Sequence, residues 1–369
     1  MLPKALTTLT VLTALTVSFV QPTFAEEKTQ PVYIYVLDTG VDGTHPGFEG
    51  RVTTGYDAFT QTETGNTDCN GHGTAVASIA ASSTVGLAKN ATIIPVKVLD
   101  CDLIGSEEAI GEGISWILNN HPQGIPGIVN FSIGGMADSA TAPSTTNERN
   151  LEFLLDEGFF VTVVAGNDSD AWAFEGVNPE VTKTIVDACS TEPGRDTKLF
   201  TVAAANTTDP NNVYRAKYSN AGKCVDAFAP GQLVNTLTPT NHEEILPASG
   251  TSYAAPYAAG LAALILEKEP QLSPEKVAQK LIATASWDTI KETPDTELHA
   301  NTQYTKTGAG KTISTIVSTS PNILLGYPFQ EPKTVPTLDE EKQEPEETPI
   351  TFLDAITNFL KPLFIWNEK

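Results

Sequence analysis

Five short runs rich in β-branched and apolar residues, Val32 to Leu37, Thr92 to Val98, Ile128 to Ile133, Phe159 to Val164 and Leu199 to Ala204, alternate with stretches of helical composition. The helical stretches are Thr74 to Ser82, Ser106 to Asn119, Glu148 to Glu157 and the Ala/Leu-rich Tyr253 to Glu269. A strand that is apolar on both faces needs cover on both faces, and a parallel sheet between two helical layers provides it. The repeated βαβ order therefore predicts an α/β fold, a doubly wound, mostly parallel sheet with helices on both faces. Such a sheet binds ligands beyond the carboxyl ends of its strands. Asp38 and Asn167, each just after a predicted strand, are the first suspects for chemistry.

The chain ends read differently from this middle. Residues 1–25 carry Lys4, then the apolar run Ala5 to Val20, then Thr23-Phe-Ala25 before the acidic Glu26. That order reads as a secretory signal peptide cut after Ala25, so the protein is expected to be secreted, outside the cell or in a periplasm. The run is diluted by Thr and is shorter than the roughly 20 residues that span a bilayer. One domain is expected over 26–326, closing near Ser320 to Leu325. Residues 327–350 follow as an acidic, Pro-rich linker, with seven acids, two lysines and four prolines between Glu331 and Pro349. Such a segment has no means of burying a core. In 351–369, Phe352, Leu353, Ile356, Phe359, Leu360, Leu363 and Phe364 recur at helical spacing, which predicts a terminal amphipathic helix that docks on a membrane or partner, or folds back on the domain.

A formal net charge of −23 sets the whole protein against phosphate backbones and anionic surfaces, and nucleic acid is excluded as a partner. Export would let the four cysteines pair. Cys69, Cys101, Cys189 and Cys224 allow three pairings, and sequence order favours 69 with 101 and 189 with 224. No two of them lie close enough in sequence for a zinc site, and no metal ligands are assigned.

Three segments put a reactive side chain beside glycine, where backbone turns sharply and substrate can approach. They are Asp38-Thr-Gly after a strand, Gly71-His72-Gly-Thr opening a helix, and Gly250-Thr-Ser252-Tyr-Ala-Ala-Pro opening another. Singly, each has an ordinary reading as a turn, a loop or a helix cap. Together they stand in the order Asp, His, Ser, which is one of the known chain orders of a serine nucleophile, its base and the base's orienting carboxylate.

With its flanking text the chain resembles the subtilisin-like serine peptidases, in particular the proteinase K branch and its bacterial aqualysin-type enzymes. The matching residues are Val36-Leu-Asp38-Thr-Gly-Val, Asp68-Cys-Asn-Gly-His72-Gly-Thr, Gly86-Leu-Ala-Lys, Val96-Lys-Val-Leu-Asp-Cys101, Asn130-Phe-Ser-Ile-Gly-Gly, Ala165-Gly-Asn167, Tyr218-Ser-Asn, Cys224-Val-Asp-Ala-Phe-Ala-Pro-Gly and Gly250-Thr-Ser252. The resemblance implies a serine endopeptidase with Ser252 as nucleophile, His72 as general base and then acid, and Asp38 orienting the imidazole. It implies that Asn167 and the backbone N–H of Ser252 hold the oxyanion. It further implies that a peptide lies extended along Ser132, Ile133, Gly134 and Gly135, and that this stretch and Val163 to Asn167 wall a first specificity pocket. Both walls are small and apolar, hence broad cleavage after apolar residues is expected, with Asp168 and Asp170 adding tolerance for basic side chains.

The family's disulfides fall on the two pairs that sequence order favours. Structural calcium is common in the family, and Asp209 is a candidate ligand, but no site is assigned; catalysis itself calls for no cofactor. The partners expected are protein or peptide substrates, and the enzyme is expected to be a monomer. Only a few residues separate Ala25 from the first strand, too few for the inhibitory pro-domain usual in secreted members, so either the domain folds unaided, or a partner assists it, or this version of the chain is unusual. Ala75 stands where the family usually has a second His, and Tyr253 where it usually has Met.

Overall fold

The computed structural model describes residues 31–137, 144–169, 185–291, 303–308, 311–316 and 320–326. Its strands in chain order are β1 (Tyr33–Asp38), β2 (Tyr56–Asp57), β3 (Thr92–Lys97), β4 (Gly127–Phe131), β5 (Gly135–Met136), β6 (Phe160–Val164), β7 (Thr191–Glu192), β8 (Phe200–Asn206), β9 (Tyr214–Arg215), β10 (Ala227–Pro230), β11 (Val234–Leu237), β12 (Ile245–Ala248), β13 (Ser286–Trp287), β14 (Gln303–Gly308), β15 (Lys311–Ile316) and β16 (Ile323–Leu324). The helices are α1 (His72–Ala81), α2 (Glu107–Asn120), α3 (Thr146–Asp156), α4 (Thr251–Lys268) and α5 (Pro274–Ala283).

Ten strands form one sheet in the order β13-β16-β10-β8-β6-β4-β1-β3-β2, with β9 paired to β8. The ladders β1·β3, β1·β4, β4·β6, β6·β8, β8·β10 and β10·β16 are parallel, and β13·β16 and β8·β9 are antiparallel. This is the predicted α/β sheet. The five strands read from sequence all lie in it, with ends displaced by one or two residues.

Two hydrophobic cores sit on its two faces. Ile34, Val36 and Ile128 point to the face covered by α1, α4 and α5, where Ala77, Ala80, Ala258, Ala262 and Leu266 pack. Tyr35, Leu37 and Val129 point to the opposite face, against Ile110, Ile114, Leu151 and Leu154 of α2 and α3. Alternate side chains of one strand thus enter different layers, as the period of two requires. Between Ala254 and Leu266, α4 is buried almost all round, and it is built mainly of Ala and Leu because it crosses the middle of the molecule rather than its surface.

The pairing of Phe228 with Leu324 returns the chain to the sheet where the domain was expected to close. The expected signal peptide, linker and terminal helix lie outside the described residues. Among those described, no helix is long and apolar enough to cross a membrane.

The topology fixes where chemistry belongs. β1 lies between β3 and β4, and the connections from β1 and from β4 run towards opposite edges of the sheet. That is the switch point at which a crevice opens beyond the strand ends. Asp38 closes β1, Ser132 follows β4 and Ala165 follows β6, so three of the sequence segments meet at this edge.

Candidate active site

Asp38 is fully buried at the end of β1, where it also accepts from the Thr39 N–H at 2.8 Å. His72 is the first residue of α1 and lays Nδ1 against this carboxylate, 2.8 Å from Oδ1 and 3.0 Å from Oδ2. A close approach makes this possible. A Cβ on Gly73 would sit 2.0 Å from the Gly40 carbonyl oxygen, so only glycine lets the helix start press against the turn after β1. Gly71, the residue before the helix, has φ 105° in the left-handed region and carries no side chain to cap the turn. Burial pulls the imidazole's pKa down, but the charge and hydrogen bond of Asp38, with the charge of Asp68 added, outweigh it, and His72 stands above the ordinary value of 6.5.

Ser252 lies in the first turn of α4, next to Thr251. Its hydroxyl donates to the Ser132 carbonyl at 3.3 Å, while the Ser132 hydroxyl donates to the Ser252 carbonyl at 2.9 Å. The sequence predicts an unbroken hydrogen-bonded succession of hydroxyl, imidazole and carboxylate. The structure has the imidazole–carboxylate half; among the described residues no hydrogen bond joins Ser252 to His72.

Asn167 is exposed beyond β6, and its side-chain oxygen accepts from Thr251 N at 2.8 Å and from Thr251 Oγ1 at 2.9 Å. With the oxygen taken, the side chain presents its N–H₂ group at the start of α4. The N-terminal end of that helix adds positive potential. Ser132 is buried and also receives the Asn130 amide at 2.9 Å, whereas Gly134 and Gly135 are exposed, leaving open backbone beside the serine. Gly135 and Met136 pair with Thr191 and Glu192 in an antiparallel bridge that buttresses this stretch.

Tyr253 sets its ring 5.7 Å from the His72 ring, centroid to centroid, and burial with the Asp38 charge raises its hydroxyl pKa. The Asp168 carboxylate accepts from the Asn220 amide at 3.0 Å and so has a partner within the domain; Asp170 lies outside the described residues. The Asp209 carboxylate closes its own turn, accepting from Asn211 N and Asn212 Nδ2, and the described residues bring no group of three or more His, Cys, Asp or Glu together as a metal site would. Both disulfides form as expected, Cys69–Cys101 and Cys189–Cys224. An open groove of about 620 Å³ between α2, α3 and the turn at Tyr56 and Gln61 contains none of the motif residues.

The sequence of the Subtilase family matches this chain over residues 29–313. The chain belongs to the subtilase family. An extracellular serine proteinase of Thermus sp. (strain Rt41A) is 38% identical over 260 residues, 70% of this chain and 56% of that protein. The alkaline serine exoprotease A of Vibrio alginolyticus is 33% identical over 262 residues, 71% of this chain and 43% of its own length. A cold adapted subtilisin-like serine proteinase, known from a crystal structure, superposes with a TM-score of 0.63 at 30% identity, over 82% of this chain and 90% of that one. This subtilase chain spans about half the length of the curated relatives it matches.

Two groups of residues escaped the sequence reading. One is Thr251, which turns Asn167; the other is the set Thr39, Asp68 and Thr74, which ties the start of α1 to the end of β1. The signal for the second was present, since Asp68 stands in the same motif as His72, but a carboxylate four residues before a helix reads as a loop residue until the fold brings Thr39 to it.

Proposed function

We propose that the protein is a secreted serine endopeptidase that hydrolyses peptide bonds through an acyl-enzyme, with Ser252, His72 and Asp38 as its triad. The observation that carries this reading is the 2.8 Å contact of His72 Nδ1 with a fully buried Asp38, at the sheet edge where Ser252 heads a helix. With Nδ1 committed to the carboxylate, Nε2 is the nitrogen left to accept a proton. A peptide binding as an added strand along Ser132, Ile133, Gly134 and Gly135 offers its own N–H to the Ser132 carbonyl. That N–H competes with the Ser252 hydroxyl, which then turns to His72.

The hydroxyl oxygen attacks the peptide carbonyl as its proton passes to Nε2, and Asp38 stabilises the imidazolium. The negative oxygen meets the N–H₂ of Asn167 and the Ser252 N–H, one of the orphan donors of a helix start. Collapse expels the amine with the proton from His72, and water, activated by the same base, releases the acyl group and restores Ser252. No step requires a metal or cofactor.

Secretion rests on the leader-like residues 1–25, on two disulfides and on the extracellular character in the name of the Thermus relative. Residues 26–326 serve as the catalytic domain, acting as a monomer on proteins or peptides with apolar side chains at the cut; 327–350 link it to the helix at 351–369. Fluorophosphonate labelling of the purified protein tests the triad. The wild type should label and digest casein, and Ser252→Ala should do neither. Equal labelling of the two would sink the assignment.

A further inference from the structure

We infer that Asp68 is a positioning residue of this catalytic centre: its one carboxylate anchors both the helix start that carries His72 and the strand end that carries Asp38, and sets a second negative charge behind the imidazole. The inference rests on the triad reading above.

Every hydrogen bond that Asp68 accepts belongs to one of those two segments or to the turn between them. Oδ1 takes the Thr39 hydroxyl at 2.9 Å, Gly71 N at 2.8 Å and Asn70 N at 3.1 Å. Oδ2 takes Thr74 N at 2.9 Å and the Thr74 hydroxyl at 2.6 Å. The network then closes on itself. Thr39 Oγ1 accepts from Gly73 N at 3.0 Å, and Thr74 Oγ1 accepts from Asp42 N at 2.9 Å.

A helix start normally has its free N–H groups met by the side chain of the residue before it. Here that residue is Gly71, and His72 and Gly73 must lie against the turn after β1, so the first turn of α1 has no cap of its own. Asp68 and Thr39 supply the bonds instead, from outside the helix. The His72–Asp38 distance is thereby fixed through Asp68, because Thr39 is Asp38's neighbour and Thr74 belongs to the helical turn that His72 opens.

The charge matters as well as the bonds. The imidazole sits at the positive end of a helix, where its protonated form is disfavoured. A carboxylate at that end offsets the effect, in keeping with the contribution of Asp68 to the upward direction of the His72 pKa. During turnover His72 carries a proton between two transfers, so this offset acts on the charged form that the reaction must pass through.

The test uses the whole purified protein, with Asp68→Asn and the pair Thr39→Val and Thr74→Val. Asp68→Asn keeps the shape but removes the charge. Its kcat should fall about tenfold with KM little changed, and the acid limb of its kcat/KM profile should move to lower pH by roughly half a unit. The imidazole signal of His72, assigned by its loss in His72→Gln and followed by NMR, should titrate lower by the same amount. The valine variants keep the charge and remove one hydroxyl partner each, so kcat should fall while the limb does not move down.

A lower Tm for Asp68→Asn, with wild-type titration of His72 and wild-type kcat, would make Asp68 a purely structural residue and overturn the inference. If Asp68→Asn does not fold, unchanged kcat in both valine variants overturns it equally. Ser252→Ala in parallel separates the two levels: turnover surviving in that variant refutes the triad itself, whatever Asp68 does.

Discussion

Two helix starts meet in this centre, and their backbone N–H groups are treated in opposite ways. At α1 the N–H groups of Gly71, His72, Gly73 and Thr74 each meet a side-chain oxygen, from Asp68, Asn70 and Thr39. At α4 the residue before the helix again lacks a capping side chain, but only Thr251 N is met by one, from Asn167, and Ser252 N is left open among the described residues. The difference fits the mechanism proposed above. In it His72 keeps one nitrogen on Asp38 while its charge comes and goes, which saturated surroundings would favour. In it a negative oxygen develops beside Ser252, and an N–H already satisfied by the protein could not receive it.

Damage to the saturated side should be the more severe. Asp38→Asn leaves the packing in place but gives the imidazole the wrong tautomer. It should lower kcat by roughly 10⁴-fold, the loss seen when the orienting carboxylate of another serine protease is treated in the same way. A peptide-substrate assay checks it, and a loss smaller than that from the Asn167 change would reverse the ranking of the two sides. On the open side, Asn167→Leu removes the donor while keeping its bulk. It should cost about 100- to 1000-fold in kcat with KM nearly constant. A rise in KM alone would mean that Asn167 holds the substrate rather than the charge that develops in the reaction.

The mildest probe is chemical. Cys69 and Cys101 are both exposed and hold the loop just before His72, while Cys189 and Cys224 are buried. A low concentration of dithiol should open the first bridge and leave the second, since exchange needs access of the attacking thiolate. Activity should fall in step with it, as the loop carrying Asp68 and Asn70 loosens. Alkylation and peptide mapping identify the opened bridge. Full activity with Cys69–Cys101 reduced would show that the hydrogen bonds around His72 hold without it.

How far the sequence revealed this arrangement depended on the range of the interactions. The parallel sheet was legible because strands apolar on both faces leave a continuous signature in residues such as Ile93, Val96 and Val129, each buried as predicted. Asp38, His72 and Ser252 were singled out by their joint order and flanking motifs, and the structure brings the first two into contact. What escaped was set by contacts between segments far apart in the chain, such as Thr251 with Asn167 or Thr39 with Asp68, where neither residue type is unusual in its place. The small strands β11 and β12 were missed for a related reason: Ile245 and Leu246 face solvent, so no strong periodic burial marks them. The helix α5 did carry a signal that the reading passed over, Ser273-Pro274 at its start with Val277 and Leu281 buried four residues apart. The bond from the Ser252 hydroxyl to the Ser132 carbonyl was not foreseen because its acceptor is a backbone atom that no sequence pattern displays.

The position of β1 has a bearing on how such a chain is made. It is the first strand in the described order, yet it lies in the interior of the sheet, with β3 on one side and β4 on the other. During synthesis its two rows of peptide groups wait for partners that emerge some sixty and ninety residues later, a distant pairing of the kind that slows assembly and leaves apolar edges open to other chains. A growing chain that stops before Phe131 has this buried, apolar strand half unpaired, so truncated forms ending there should be prone to clump rather than to persist as soluble fragments.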